Sequence, residues 1–196
     1  MKSKNWLQRQ KNDIYVKRAK SEGYLSRSAY KLIQIDNKYK ILKNSNKILE
    51  LGSAPGGWSQ VICNINQKVT IHAFDILEMK FKHSQIKFFK KNFLEYSFKT
   101  QNEKYDLILS DVAPNTIGHQ STDHLRIISL IESMIYNIEN IILPNGNFIC
   151  KIWNGSQDKI IFNQLKKMFR KISNFKPESS RKESNEMYII AQGFFI

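Results

Sequence analysis

Short apolar runs alternate with amphipathic segments along most of the chain. The apolar runs that predict strands are Lys47–Leu51, Val69–Phe74, Ile86–Phe89, Tyr105–Ser110, Asn147–Ile152, Ile172–Phe175 and Glu186–Gly193. The segments that predict helices are Ser26–Lys38, Gly57–Ile65, Thr122–Ile142 and Lys159–Phe169, and a turn is predicted at Leu143–Gly146. Strands that alternate with helices in this order predict an α/β fold, in which helices cover both faces of a mostly parallel sheet.

Polar residues stand where several of the predicted strands end. Asp75 and Asp111 each follow an apolar strand directly, and Lys151 lies near the end of a third. In open parallel sheets, ligands bind beyond the carboxyl ends of the strands. We therefore expect these side chains, together with the glycine-rich turn after Leu51, to surround a binding site.

The glycine-rich turn reads Gly-Ser-Ala-Pro-Gly-Gly-Trp over Gly52–Trp58. This is not the Gly-x-Gly-x-x-Gly of dinucleotide-binding folds, and no Gly-Lys-Ser/Thr follows, so the turn disfavours an NAD-dependent oxidoreductase and a phosphate-binding P-loop. The spacing favours a ligand with an adenosine end and no pyrophosphate. Asp75 lies where an acidic residue reaches ribose hydroxyls in such folds. The alternative is a tight turn that needs glycine only for its backbone.

Charge narrows the class of partner. The chain has 31 Lys and Arg residues against 17 Asp and Glu residues, a formal net charge of +14. Such a surface attracts polyanions, which favours a nucleic-acid partner, although a lysine-rich proteome is the alternative. Cations can neutralise phosphates while aromatic rings stack on bases. The residues of the first third that are expected to do this are Lys2, Lys4, Trp6, Arg9, Lys11, Tyr15, Lys17, Arg18, Lys20, Tyr24, Arg27 and Lys31.

The remaining composition predicts one intracellular domain. We expect a monomer with a single domain over residues 1–196, of which 1–40 form a basic, RNA-facing segment and helix.

Cys63 and Cys150 lie in apolar surroundings, which indicates a reducing compartment. None of the four histidines, His72 included, has the spacing of a metal ligand, so all are expected on the surface or in loops and no metal is predicted. Without a membrane span or signal core, the predicted location is the cytoplasm, or an organelle if the N-terminus was trimmed.

The segments Gly52–Trp58 and Ser110–Asn115, the latter reading Ser-Asp-Val-Ala-Pro-Asn, together resemble the FtsJ/RrmJ family of ribose 2′-O-methyltransferases. Further segments resemble the family in the same order: Asp13–Val16, Ser26–Leu32, Phe148–Trp153, Lys176–Arg181 and Asn185–Tyr188. Several motifs in order are far more specific than one. The resemblance implies a Rossmann-like methyltransferase fold with a seven-stranded sheet, S-adenosylmethionine as cofactor, and large-subunit ribosomal RNA or the large ribosomal subunit as partner.

The family's catalytic set is Lys, Asp, Lys and Glu, and the matching positions are Lys31, Asp111, Lys151 and Glu186. The resemblance implies that Lys151 is the general base for the ribose 2′-hydroxyl, that Asp111 holds its amine, and that Glu186 orients Lys31 or the ribose. A lysine amine acts as a base only when neutral, which burial or a second cation favours. Lys31 is expected to be that cation. Taken singly, each of the four is better explained as an ordinary surface charge or a turn cap. All four in order, within matching segments, favour the catalytic set instead.

The cofactor contacts implied by the resemblance are Gly52, Ala54, Pro55, Gly56, Gly57, Trp58, Asp75, Ile76, Asn92, Phe93 and Asp111. At position 92 the family often has an aspartate that contacts the adenine amino group. The side-chain carbonyl of Asn92 can still accept this hydrogen bond, so we expect adenine recognition with a lower affinity. Leu25 stands where the family commonly begins an Arg-Ser-Arg segment, which leaves Arg27 as the arginine expected to face RNA.

The loop after Asp111 bears on the substrate. Relatives with the same four residues methylate transfer RNA anticodon loops or messenger RNA caps. The segment Val112–Gly118, followed by Asp123 and Arg126, resembles the ribosomal RNA form, and the short length agrees. The implied activity is that of an rRNA (uridine-2′-O-)-methyltransferase. The alternatives are a transfer RNA ribose methyltransferase and a non-catalytic RNA-binding ribosome assembly factor, although a degenerate protein should have lost a tetrad lysine or the glycine turn.

Overall fold

Helices and strands alternate along the computed structural model, which describes residues 12–96, 98, 102–113, 120–153, 158–181 and 183–196. The helices of these residues are α1 (Ile14–Ser21), α2 (Ala29–Tyr39), α3 (Gly57–Ile65), α4 (Gln120–Ile141) and α5 (Asp158–Lys166). Their strands are β1 (Lys47–Leu51), β2 (Thr70–Asp75), β3 (Ile86–Lys90), β4 (Tyr105–Ser110), β5 (Ile142–Trp153), β6 (Phe169–Phe175) and β7 (Glu186–Phe194). A short 3₁₀ helix, Phe93–Glu95, follows β3.

The seven strands form one sheet in the order β3-β2-β1-β4-β5-β7-β6. The strands from β3 to β5 are parallel, whereas β7 runs antiparallel to both β5 and β6. This topology confirms the predicted Rossmann-like, mostly parallel seven-stranded sheet. The strand order reverses between β1 and β4, and a crevice at such a switch point is where open α/β sheets bind ligands.

Helices pack on both faces of the sheet because side chains alternate along each strand. On one face, Leu32 of α2 and Ile62 of α3 belong to one buried cluster with Leu107 of β4. On the other face, Ile131 of α4 clusters with Ile108, the next residue of β4. The face covered by α2 and α3 also carries the polar residues described below.

The last third of the chain differs from its predicted elements. Helix α5 ends at Lys166 and β6 begins at Phe169, so the predicted helix Lys159–Phe169 is too long and the predicted strand Ile172–Phe175 too short. The approach of Phe169 to the buried core explains the difference, because its ring is 2% exposed and pairs edge-on with Phe194 of the neighbouring strand β7.

The predicted turn at Leu143–Gly146 lies inside β5. The pairing of β4 with β5 jumps from Tyr105 opposite Ile142 to Leu107 opposite Asn147, which marks an irregularity in the ladder. Asn145 takes a positive φ of 63° there. The Pro-Asn-Gly sequence thus produces a bulge within a strand, rather than a turn between two elements.

The prediction that His72 lies on the surface or in a loop is wrong. His72 is in β2 and 7% exposed, and its Nδ1 lies 2.9 Å from the hydroxyl of Tyr105. Burial, with the nearby charges of Lys47 and Lys87, lowers the pKa of His72 to about 4. Across the described part of the chain, no three His, Cys, Asp or Glu residues are grouped to hold a metal ion, and no helix is long and apolar enough to cross a membrane.

Candidate active site

The glycine turn after β1 brings the backbone against the end of β4. Gly52 has a φ of 77°, and a Cβ atom built on it would lie 2.9 Å from the backbone nitrogen of Val112. Its amide donates to the carbonyl of Phe74 at 2.9 Å, and the amide of Ala54 donates to Asp75 Oδ2 at 2.8 Å. Glycine is required at position 52 because both the conformation and the close approach exclude a side chain.

A cavity of about 380 Å³ opens beside this turn, and we call it the turn cavity. The predicted cofactor residues that line it are Gly52, Ala54, Asp75, Ile76, Asn92, Phe93 and Asp111. Leu77, Leu94 and Leu130 add apolar surface that the sequence did not single out. A concave, largely apolar site with a few polar groups is typical of small-molecule binding.

Four residues predicted to contact the cofactor lie outside the lining of the turn cavity: Pro55, Gly56, Gly57 and Trp58. The indole of Trp58 is 3% exposed, and its Nε1 donates to the carbonyl of Ser28 at 2.9 Å. Gly56 has a φ of 117° and forms the N-cap of α3. In this structure, therefore, Gly56 shapes the turn and Trp58 ties α3 to the start of α2.

The two polar residues predicted to hold the ribose and adenine both bind backbone amides of their own loops. Asp75 accepts from Ala54 through Oδ2 and from the amide of Leu77 through Oδ1 at 2.8 Å. Asn92 caps the 3₁₀ helix, since its Oδ1 accepts from the amide of Leu94 at 3.2 Å. A carboxylate or amide oxygen has a second lone pair, so each oxygen can accept a further hydrogen bond from a ligand.

The four predicted catalytic residues form two ion pairs. Lys31 Nζ lies 2.7 Å from Oε1 and 2.8 Å from Oε2 of Glu186. Lys151 Nζ lies 3.0 Å from Asp111 Oδ1 and donates to the carbonyl oxygen of Asp111 at 2.6 Å. The side chains are between 8% and 15% exposed. Ion pairs this well shielded from water are screened far less than surface pairs.

Strand register explains why residues so distant in sequence meet. Strand β7 pairs with β5 so that Tyr188 lies opposite Lys151 and Glu186 lies opposite Trp153. Side chains alternate along a strand, so Glu186, Tyr188 and Lys151 point to the same face of the sheet. Helix α2 covers that face and supplies Lys31 from its first turn.

Asp111 is the best-connected carboxylate of the site. Its Oδ2 accepts from the hydroxyl of Ser28 at 2.6 Å, and its Oδ1 accepts from the hydroxyl of Tyr188 at 2.7 Å as well as from Lys151. Burial alone would raise the pKa of Asp111, but the charges of Lys151 and Lys31 and the two hydroxyl donors outweigh it, so the pKa lies well below its usual range. Asp111 is therefore ionised.

Ser28 and Tyr188 were not predicted as site residues. Burial, together with the Asp111 carboxylate, raises the pKa of Tyr188 well above its ordinary value, so its hydroxyl keeps the proton that it donates. Ser28 precedes α2 and sits within the predicted Ser26–Leu32 motif, but only the position of α2 over the sheet brings it to Asp111.

A second cavity of about 330 Å³ lies on the side of Lys31 and Glu186, and we call it the basic cavity. Its lining residues are Arg27, Ser28, Lys31, Arg181, Ser184 and Glu186. Ser28 lines the basic cavity and donates to Asp111, which lines the turn cavity. The Ser28–Asp111 hydrogen bond thus links the walls of the two cavities.

Arg27, which was expected to face RNA, is largely used within the protein. Its guanidinium pairs with Asp13 and donates to the carbonyl of Ser179, and its side chain is 17% exposed. It thereby ties the start of α1 to the connection between β6 and β7. The predicted RNA contacts before position 12 and the loop residues 114–119 lie outside the described residues.

Glu50 is a buried acid that sequence reasoning passed over. It lies in β1 two residues before Gly52, is 1% exposed, and accepts a hydrogen bond from Ser59. Burial raises the pKa of Glu50 to about 8. Its other carboxylate oxygen has no hydrogen-bond partner within the described structure. A protonated Glu50 avoids placing an unpaired charge in the core.

Comparisons with known proteins identify the family of the chain. A family model described as FtsJ-like methyltransferase matches residues 24–194. The chain belongs to the FtsJ-like methyltransferase family. This FtsJ-like methyltransferase is 44% identical over 198 residues to the ribosomal RNA large subunit methyltransferase E of Wolbachia sp. subsp. Brugia malayi, a match that covers 99% of this chain and 90% of that protein. It is 40% identical to the protein of the same name from Rickettsia felis, with 96% and 88% covered.

Solved structures agree with the fold of this FtsJ-like methyltransferase. A crystal structure described as a ribosomal RNA methyltransferase from Plasmodium falciparum superposes with a TM-score of 0.76 at 33% identity, covering 88% of this chain and 99% of that chain. Human methyltransferase-like protein 13, solved in complex with SAH, superposes with a TM-score of 0.53 at 16% identity over 84% of this chain and 78% of that chain, a likeness of fold alone.

Proposed function

We propose that this protein transfers the methyl group of S-adenosylmethionine to the 2′-hydroxyl of a ribose in large-subunit ribosomal RNA. The observation that carries the proposal is that two cavities are linked through their walls by the hydrogen bond from Ser28, which lines the basic cavity, to Asp111, which lines the turn cavity. The turn cavity has a ligand-sized apolar lining, and the basic cavity holds the Lys31–Glu186 ion pair. The Lys151–Asp111 ion pair adjoins the turn cavity, because Asp111 is one of its lining residues.

The turn cavity fits an adenosyl ligand without pyrophosphate. Asp75 offers carboxylate oxygens for ribose hydroxyls, and Asn92 offers a carbonyl for the adenine amino group, while Ile76, Leu77 and Phe93 provide apolar surface. Because Gly52 has no side chain, its backbone lies close to the backbone of Val112 at the edge of the turn cavity. When bound, S-adenosylmethionine supplies a methyl group that its sulfonium has already activated.

The protein's own residues must then position and deprotonate the acceptor. In our account, Lys151 in its deprotonated form would take the proton of the 2′-hydroxyl as the hydroxyl oxygen accepts the methyl group that bound S-adenosylmethionine would supply. Asp111 fixes the amine of Lys151 by two contacts, through its carboxylate and its carbonyl. Lys31 and Glu186 orient the ribose for this step.

Ribosomal RNA is the substrate that charge and kinship support best. The net charge of +14 suits a polyanion, and the bacterial relatives bear the name of a large-subunit ribosomal RNA methyltransferase. We propose a uridine as the target and a monomer acting on the RNA or on the large subunit. Methylation confined to transfer RNA would replace ribosomal RNA as the substrate. RNA binding without methyl transfer would replace the methyltransferase activity with that of a non-catalytic assembly factor.

The experiment compares Lys151→Ala and Lys151→Arg with wild type on large subunits from a bacterium lacking the corresponding methyltransferase. Arginine keeps the charge but cannot lose its proton, so a general base is lost in both variants. We expect kcat to fall by about a thousand-fold in both, as for removal of a general base. Binding of S-adenosylmethionine should stay near wild type, because Lys151 does not line the turn cavity.

The matched controls are Lys171→Ala and Lys171→Arg, which change an exposed lysine on β6. They should retain wild-type kcat. Substantial turnover by Lys151→Arg would assign Lys151 an electrostatic role instead of that of the base. Wild-type turnover by Lys151→Ala would remove it from the reaction altogether.

A further inference from the structure

The described side chains in and beside the basic cavity include one more cation than carboxylate. Arg27, Lys31 and Arg181 line it, whereas Glu186 is its only acidic lining residue among those that the structure describes. Asp13 lies beside the two arginines. Three cations against two carboxylates leave an excess of one positive charge, which favours an anion in this cavity.

Two of the three cations are already used. Lys31 contacts both carboxylate oxygens of Glu186 and is 12% exposed. Arg27 pairs with Asp13 and donates to the carbonyl of Ser179. Within the described residues, these contacts satisfy one carboxylate each and fix both side chains in the wall of the cavity.

Arg181 is the cation with capacity left for a ligand. Its Nε lies 3.6 Å from Asp13 Oδ2, too long for a hydrogen bond, and its side chain is 37% exposed. Asp13 meanwhile accepts from Arg27 and from the amides of Tyr15 and Val16. A guanidinium presents five N–H donors, and the described structure gives those of Arg181 no short partner.

The backbone that carries Arg181 is anchored. The amide and hydroxyl of Ser179 both donate to Gln34 Oε1 at 2.9 Å, and the amide of Ser184 donates to the carbonyl of Arg181 at 3.0 Å. The Ser180 hydroxyl donates to Glu186 Oε1 at 2.9 Å. The backbone of Arg181 thus belongs to the same anchored connection that positions Glu186, which places its side chain beside the ion pair.

We propose that Arg181 binds the 3′-phosphodiester of the ribose that is methylated, a role that rests on the proposed function. In RNA the 2′-hydroxyl and the 3′-phosphate are on neighbouring carbons. A ribose oriented by Lys31 and Glu186 therefore brings its phosphate into the cavity that Arg181 lines. A guanidinium fork matches two phosphate oxygens, and this contact fixes the rotation of the ribose as well as its position.

The test uses the full chain with Arg181→Gln, Arg181→Lys and the matched control Arg170→Gln. Arg170 is an exposed arginine at the start of β6, where it bonds to Asn145. Its substitution therefore removes the same charge at a position away from the basic cavity. One readout is the KM and kcat for undermethylated large subunits. The other is binding of a fluorescent single-stranded oligouridylate over a series of salt concentrations, which needs no methyl transfer.

Arg181→Gln should raise the KM for large subunits by about ten-fold and reduce the slope of log K against log salt by about 0.7, the loss of one phosphate contact on a single strand. Arg181→Lys should keep the slope but raise the KM by about three-fold or more, because an ammonium lacks the planar fork. Arg170→Gln should match wild type in the KM, and S-adenosylmethionine affinity should be unchanged in all three.

A wild-type KM in both Arg181 variants, or equal effects of Arg181→Gln and Arg170→Gln, would overturn the proposal. If Arg181→Gln fails to fold, the KM of Arg181→Lys alone decides whether Arg181 binds the phosphate. Lysine keeps a positive charge beside Asp13, so this variant is expected to fold. If wild type methylates no ribose, the proposed function fails on its own, and the salt slopes still decide whether Arg181 contacts a phosphate.

Discussion

The hydroxyl of Ser28 donates a hydrogen bond of 2.6 Å to Asp111 Oδ2, while Lys151 and Tyr188 bind the opposite carboxylate oxygen. The two oxygens of Asp111 are therefore held from different parts of the fold: Ser28, the N-cap residue of α2, binds one, and residues of the strands β5 and β7 bind the other. The carboxylate that positions the proposed base is fixed in rotation, which a single ion pair would not achieve.

Ser28→Ala should lower kcat while leaving the fold intact. The substitution frees one oxygen of Asp111, so the carboxylate positions Lys151 less well, and we expect kcat to fall by about ten-fold to a hundred-fold. Asp111 keeps Lys151 and Tyr188, and the Ser28 carbonyl still accepts from Trp58. Steady-state kinetics on large subunits would measure the change.

The matched control for Ser28→Ala is Ser133→Ala, which removes a hydroxyl that bonds only within α4 in the described structure. It should not change kcat. A Ser28→Ala enzyme with unaltered kcat would mean that Lys151 and Tyr188 suffice to orient Asp111, and that the contact with Ser28 has no part in catalysis.

Asn92→Asp should tighten the binding of S-adenosylmethionine by about three-fold to ten-fold, because an ionised acceptor forms a stronger hydrogen bond to an amino group. The aspartate can keep the cap on Leu94, since Asp and Asn are equally good caps. Calorimetric titration would compare it with Asn37→Asp, the same charge change on the exposed surface of α2. Undiminished affinity in Asn92→Ala would show that position 92 does not contact the adenine.

Glu50 should make the protein less stable as pH rises. Burial raises its folded-state pKa to about 8, whereas the ordinary value is 4.5. Between those values the folded protein holds one proton more than the unfolded chain, so this group lowers the free energy of unfolding by about 1.4 kcal/mol for each pH unit gained. The loss is complete once the pH exceeds the folded pKa.

Glu50→Gln removes this term and should gain stability over wild type as pH increases from about 4.5 to about 8. Denaturant unfolding of both proteins across this range measures the difference in their free energies of unfolding. Other titrating groups such as His72 contribute equally to both proteins, so their contributions cancel in this difference. Parallel stability curves for the two proteins would contradict a raised pKa at Glu50.

The fold was largely predictable because strand and helix periodicities are local properties. The apolar run of β4 and the glycine turn are recognisable without tertiary information. The catalytic set Lys31, Asp111, Lys151 and Glu186 was implied by the family resemblance, and its role stays a prediction. The bulge at Leu143–Gly146 was not predictable in this way, because its Pro-Asn-Gly sequence is typical of a turn and only pairing with β4 keeps it in the strand.

The missed residues depend on contacts between distant segments. Ser28 reaches Asp111 across 83 positions, and Tyr188 reaches it across 77, through packing and strand register that no local pattern encodes. His72 looks like a surface residue by composition, yet its position in a central strand buries it against Tyr105. The pairing of Arg27 with Asp13, 14 positions away, likewise depends on the tertiary fold, whereas the expectation that Arg27 faces RNA came from the family resemblance and stays a prediction.

The central claim is that the methyl group goes to a ribose 2′-oxygen, and the most direct test locates it chemically. Large subunits are methylated by the wild-type protein with radiolabelled S-adenosylmethionine, and the purified RNA is hydrolysed in alkali. Alkaline cleavage needs a free 2′-hydroxyl, so a 2′-O-methyl group leaves an alkali-resistant dinucleotide. We predict that the label is recovered in one such dinucleotide from large-subunit RNA. Label in mononucleotides, which indicates methylation of a base, or label in transfer RNA alone would contradict the account.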